Sequence, residues 1–169
     1  MDKKPNIPLI LGISVPILMI LFVAGSIYLP GLFIKPKYNF IYVSGDDYYY
    51  GRQYSVINGQ LVKNEVKPPD YYRPRTEPKL FIHDVSNNES REISFEEAQK
   101  LNLDSNIISK DGFEVIYGSR GDGIFPFFFF SGRDYNSRYI SGHNVSKKLN
   151  VQFNGSYYNG FQFIAWINK

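Results

Sequence analysis

The side chains best suited to moving a proton are two histidines, His83 in "KLFIHDV" and His143 in "SGHNVS". Strand alternation puts His83 on one face with Phe81 and Val85, and Asp84 on the other with Ile82. A base and its orienting acid must hydrogen-bond, which adjacent strand residues cannot do, so His83 is expected as a satisfied core or rim histidine. His143 is expected in a loop near Ser141 and Ser146. Activating either serine requires an acid folded close by, and the chain has no G-x-S-x-G nucleophile elbow. Two histidines without ligand spacing, and no cysteine at all, argue against a metal centre and leave no thiolate nucleophile or disulfide. Asp46, Asp47, Asp104, Asp111, Asp122 and Asp134 fall in turn-like stretches. Such carboxylates can ligate calcium, but none has EF-hand spacing, so they are expected as turn formers. No catalytic residue, metal or cofactor is expected. The alternative is a hydrolase using His143 or the loop carboxylates.

Recognition chemistry is better represented. Tyrosines cluster at Tyr48, Tyr49 and Tyr50, at Tyr71 and Tyr72, and at Tyr157 and Tyr158, each cluster in or beside an expected turn. Tyrosine combines a large apolar face with a hydroxyl at low entropic cost, which suits protein or glycan recognition. The structural alternative is that these rings lie over sheet edges as lids on the core. Arg133 and Tyr135 stand beside "IFPFFFF", where Pro126 is expected at a strand start or bulge. Alternation then puts Phe127 and Phe129 on one face, and Phe128 and Phe130 on the other. Burial on both faces is expected, and an exposed docking platform is the alternative. The tripeptide Arg120–Asp122 reads as turn chemistry, not as an adhesion signal. Asn88, Asn144 and Asn154 sit in Asn-x-Ser sequences, which act as glycan acceptors only in a eukaryotic secretory route.

The elements that must position these groups fall into two parts. No charged residue occurs from Pro5 to Ile34, and Leu9–Leu29 spans roughly 31 Å as a helix, the thickness of a bilayer core. Pro8 suits a first helical turn, Pro16 an internal kink, and Pro30-Gly31 a stop. Tyr28 and flanking lysines fit interfacial anchors. A cleavable signal peptide is the rival reading, with weak sites at Val23-Ala24-Gly25 and Ala24-Gly25-Ser26, but the apolar stretch is too long for one. The expected organisation is a short cytoplasmic tail (1–7), a transmembrane helix (8–30), a juxtamembrane linker (31–37) and an extracytoplasmic β domain (38–169). The net charge of +3 comes entirely from Lys3, Lys4, Lys35 and Lys37 set against Asp2, so the domain itself is neutral. A nucleic-acid partner needs a basic face on the folded part and is not expected.

Within the domain, strands are expected over 38–43, 50–57, 60–62, 79–85, "SREIS", 112–118, from Phe127, 147–153 and 160–167. Asn58-Gly59 between two alternating runs is the preferred pair for a two-residue hairpin with positive φ at both positions. Ser94 and Glu97 have capping-box spacing for one short helix. Residues 67–78 hold four prolines and form an extended loop. The class is mainly antiparallel β, sandwich-like or partial-propeller-like.

"LFIHDVSNNESREIS" followed by "SKDGFEVIYGSRGDGIF" resembles a blade of a TolB-type propeller, with strand, DV-turn, strand and an SPDG-type turn. Lys110 stands where that motif favours proline, and too few residues remain for a closed propeller. More broadly, "KLFIHDVS", "ISFEEAQKLNLDS" and "GHNVSKKLNV" resemble uncharacterised short single-pass membrane proteins of candidate-phylum (Patescibacteria-like) bacteria, a resemblance that implies no activity. The expected function is a membrane-tethered extracytoplasmic binding or envelope-interaction module, meeting lipid through residues 8–30 and a protein or glycan of the envelope through its loops. An accessory role in a membrane complex is a further alternative.

Overall fold

The computed structural model describes residues 7–45, 52–65, 78–118, 137–143, 145–152 and 160–168. The chain opens with a 27-residue helix, α1 (Ile7–Phe33), without an acidic or basic side chain anywhere in its length. It runs unbroken through Pro16 and past the expected stop at Pro30-Gly31. A proline in the last turns removes a single backbone bond, which shifts a helix end by only a residue or two. The described apolar side chains of α1 from Ile10 to Val23 are exposed on all sides. Among the described residues no helix is long and apolar enough to cross a membrane.

The domain is mainly antiparallel β, built from β1 (Phe40–Ser44), β2 (Tyr54–Ile57), β3 (Gln60–Lys63), β4 (Lys79–Asp84), β5 (Glu89–Glu92), β6 (Leu103–Asp104), β7 (Glu114–Tyr117), β8 (Arg138–Gly142), β9 (Val145–Lys148) and β10 (Gln162–Ile167), with α2 (Phe95–Gln99) after β5. Five of them form one sheet in the order β5-β4-β1-β10-β6. Its central strand, "FIYVS", is buried at every position, as happens when both faces of a sheet are covered. Phe40 and Tyr42 face a layer formed by β7-β8-β9, joining Phe81, Phe113, Ile140, Phe161 and Trp166 in one core. Ile41 and Val43 face the β2–β3 hairpin and α2, packing with Leu61, Leu80, Ala98 and Ala165 in a second. The architecture is therefore a sandwich with a third layer over its other face.

Several local features form as their residues dictate. Asn58 (φ 51°) and Gly59 (φ 79°) both occupy the left-handed region, giving the two-residue hairpin between β2 and β3. The Ser94 side chain accepts from the Glu97 N–H at 3.1 Å and caps α2. The Glu97 carboxylate bonds Arg91. Asp84 closes the β4–β5 turn by accepting from the Ser86 N–H at 2.8 Å and the Asn87 amide at 3.1 Å.

Other expectations need correction. Within the expected 147–153 strand, β9 ends at Lys148. Leu149 N–H still donates to the Arg138 carbonyl at 2.8 Å, but beyond it Asn150 N–H donates to Asn88 Oδ1 and Gln152 N–H to the Tyr42 hydroxyl, outside any ladder. Leu149 and Val151 still enter the core. The strand expected from Tyr50 begins, in the described chain, at Tyr54. β6 and β8 were not anticipated: β6 is a two-residue pairing with β10, and β8 opens on a buried arginine. β7 pairs with β8 in a sheet separate from that of β5. The phenylalanine run 127–130, Arg120–Asp122 and the proline-rich stretch up to 77 lie outside the described residues.

Candidate functional site

All nine residues singled out for binding, Tyr48, Tyr49, Tyr50, Tyr71, Tyr72, Arg133, Tyr135, Tyr157 and Tyr158, lie outside the described residues. What the fold does show is where the chain leaves for and returns from the segments that carry them. β1 is followed by Gly45, whose N–H donates to the Gly160 carbonyl at 3.3 Å, just before β10. A Cβ on Gly45 would lie 2.7 Å from Pro78 Cα, just before β4. Thus one bounding residue of each of 46–51, 66–77 and 153–159, namely Gly45, Pro78 and Gly160, lies at one point. The bounds of 119–136 join them: Gly118 N–H donates to the Ser137 carbonyl at 3.1 Å, and the Tyr117 hydroxyl donates to the Phe161 carbonyl at 2.9 Å. Arg138 seals this corner, its guanidinium 4.0 Å from the centre of the Tyr117 ring and 5.3 Å from that of Phe161. Its Nη1 donates to the Ser137 carbonyl at 3.3 Å, and burial lowers its pKa from the ordinary value. Sequence reasoning missed Arg138, because a lone arginine between Ser137 and Tyr139 reads as a surface residue.

The linker from α1 enters at the opposite end. Val43 pairs with Gln162 at the first end, whereas Phe40 pairs with Trp166 and His83 at the second. There Asn39 accepts from Ile167 N–H at 2.8 Å through its carbonyl and from Val85 N–H at 3.1 Å through its side chain. Lys37 N–H donates to Asp111 Oδ2 at 2.7 Å. Asp111 Oδ1 accepts from the Ser109 hydroxyl, which itself accepts from Phe113 N–H at 2.9 Å. His143, at φ 50° in the β8–β9 turn, sets Nε2 2.7 Å from the Asp111 carbonyl and its ring edge-on to Phe113. Serine, aspartate and histidine thus come together here, but in the wrong order for a charge relay. The carboxylate faces the serine and a backbone N–H, while the imidazole meets only a backbone carbonyl. The geometry is that of a turn lock holding the linker.

Gly112 is a tight point of that lock. It adopts φ +80°, and a Cβ there would lie 2.7 Å from His143 Nε2. Gly112→Ala is expected to cost about 2 kcal/mol, combining left-handed strain with the lost histidine bond. Urea unfolding measures it, and a cost no larger than that of a surface substitution would refute the lock.

His83 is fully buried and stacks on Phe40, with ring centres 4.9 Å apart. The Ser90 hydroxyl donates to the Asn150 carbonyl at 3.3 Å, so the 2.8 Å contact to His83 is Nδ1–H donating to Ser90 Oγ. This tautomer leaves Nε2 as a buried lone pair without a hydrogen-bond partner among the described residues. Burial pushes its pKa down to about 4. The expected core histidine is present, but only half satisfied.

Among the described residues no group of acids and histidines could hold a metal ion. Comparison with protein-family models, with curated proteins and with solved structures finds no match in any of the three.

Proposed function

We propose that the chain is a membrane-anchored binding module, held by α1 and binding through the tyrosine-bearing segments of its β domain. The observation that carries this reading is the bipolar layout. The segments bearing Tyr48–Tyr50, Tyr71-Tyr72, Arg133, Tyr135 and Tyr157-Tyr158 each have at least one bounding residue gathered around Gly45, Pro78, Gly160 and Phe161. The linker, bonded to Asp111, enters at the other end. Helix α1 carries no charged residue, and its apolar side chains from Ile10 to Val23 are exposed, the surface of a segment solvated by lipid, which supports the anchor. With the tail inside, the domain faces outward, where a protein or glycan of the envelope is the partner chemistry tyrosine clusters fit.

Full-length protein in lipid nanodiscs, sedimented with isolated cell-wall glycan and titrated against purified envelope proteins, tests this. Alanine at Tyr71 and Tyr72, or at Tyr157 and Tyr158, is expected to weaken binding about tenfold or more, as loss of an aromatic hot spot does. His143→Gln should leave affinity unchanged. Binding indifferent to all the tyrosine changes, or turnover lost with His143→Gln, would replace this reading by another.

A further inference from the structure

We infer that the end of the domain where the linker enters docks on the lipid headgroup layer, inserting Ile57, Ile107 and Ile108; this deepens the anchored reading and rests on it. Outside α1, the large apolar side chains most exposed among the described residues are Ile57 (55%), Ile107 (70%), Ile108 (57%) and Tyr117 (61%). Tyr117 is at the recognition end, and the three isoleucines are at the linker end. Ile57 precedes the Asn58-Gly59 turn, where the Gly59 carbonyl accepts from Leu103 N–H at 2.8 Å. Leu103 pairs in turn with Ile167, the neighbour of Asn39. Ile107 is fixed through its carbonyl, which accepts from Trp166 Nε1 at 3.1 Å, and Ile108 bridges to Glu114. Hydrogen-bonded backbone therefore holds these apolar side chains outward.

Chain length fixes what they meet. Lys37 is bonded to Asp111, so only residues 34–36 separate the end of α1 from the domain. At full extension they reach about 10 Å, which confines this face to the headgroup layer of any bilayer that α1 crosses. Charge agrees with that surface. Lys35, Lys37 and Lys110 are exposed around it. Of the acids at this end, Asp84, Asp104 and Asp111 accept turn hydrogen bonds from Ser86 N–H, from Asn106 N–H, and from Ser109 and Lys37, while Glu89 is exposed. Glu114 is half-buried. Exposed isoleucines ringed by lysines form an interfacial contact, in which apolar burial and attraction to anionic lipid add.

The absence of cysteine makes the test direct, because an introduced cysteine is the single labelling site. Full-length protein carrying a fluorophore at Asn106→Cys, Lys63→Cys or Leu18→Cys is reconstituted in phosphatidylcholine–phosphatidylglycerol vesicles containing acyl-chain nitroxide lipid. Leu18 reports α1, and Lys63 reports the far end of the β2–β3 hairpin. Quenching at Asn106 is expected to exceed that at Lys63 by about twofold or more, as for a group at the interface. It should fall to the Lys63 level when Ile107→Ser and Ile108→Ser are added. Quenching at Leu18 with Asn106 no more quenched than Lys63 overturns the docking while leaving the anchor. An unquenched Leu18 overturns the anchor, and the docking with it. Quenching at Asn106 that survives both serine changes removes the isoleucines from the contact.

Discussion

Replacing Phe40 with alanine is expected to lower the unfolding free energy by about 3–5 kcal/mol, a large share of the roughly 5–15 kcal/mol that holds a domain together. Phe40 is fully buried, with ring centres of His83, Phe163 and Trp166 at 4.9, 5.8 and 5.6 Å. Its neighbours belong to β1, β4 and β10, whose ladder pairing prevents them from closing over the void. The lost transfer energy and the cavity therefore add. Urea unfolding followed by circular dichroism measures the effect, with Ile57→Ala, on the surface, expected within about 0.5 kcal/mol of the parent. Equal midpoints for the two variants would show that the aromatic core is not where this domain stores its stability.

Acidification should weaken the domain through His83. The imidazole takes its proton near 6.5 when unfolded and near about 4 when folded, because burial disfavours the cation. Between those values the unfolded chain binds more protons, so stability rises with pH across the window and is lost as pH falls through it. The shift corresponds to about 3 kcal/mol lost on reaching pH 4, and further acidification adds only a small remainder from this group. Asp84 and the Asn88 side chain oppose the shift, while Lys147 adds to it. In His83→Gln the pH dependence between 6.5 and 4 should flatten relative to the parent, whatever the variant's own stability. Parallel pH profiles for parent and variant would place the acid sensitivity elsewhere.

Both effects depend on an alternation legible in the chain. "FIYVS" and "KLFIHD" could be read as strands because one apolar residue in two commits a face. Asn58-Gly59 and Ser94 acted as their local chemistry requires, since a turn with two positive φ values or a helix cap is settled within four residues. Likewise the apolar character of residues 7–33 needs no tertiary context. The sequence alone also put His83 on a core face and kept Asp84 from serving it.

Tertiary structure decided which faces meet and which ends gather. Nothing local says that "YSVINGQLVK" and "FEEAQ" cover one face of the sheet while β7-β8-β9 cover the other. That depends on pairings between residues as far apart as Phe40 and Trp166. The end of β9 departs from the expected strand because the N–H groups of Asn150 and Gln152 are satisfied by Asn88 and Tyr42, partners 62 and 110 residues away. Arg138 is polar by sequence and core by position, since the Tyr117 and Phe161 rings that shelter it come from two other strand ends. Ser109, Asp111 and His143 could have been read as chemistry, yet only their packing shows that the carboxylate is turned to the Lys37 backbone and the imidazole to a carbonyl. Periodicity fixes the face a residue occupies; which neighbour lies across from it depends on long-range closure, and no window of sequence contains that.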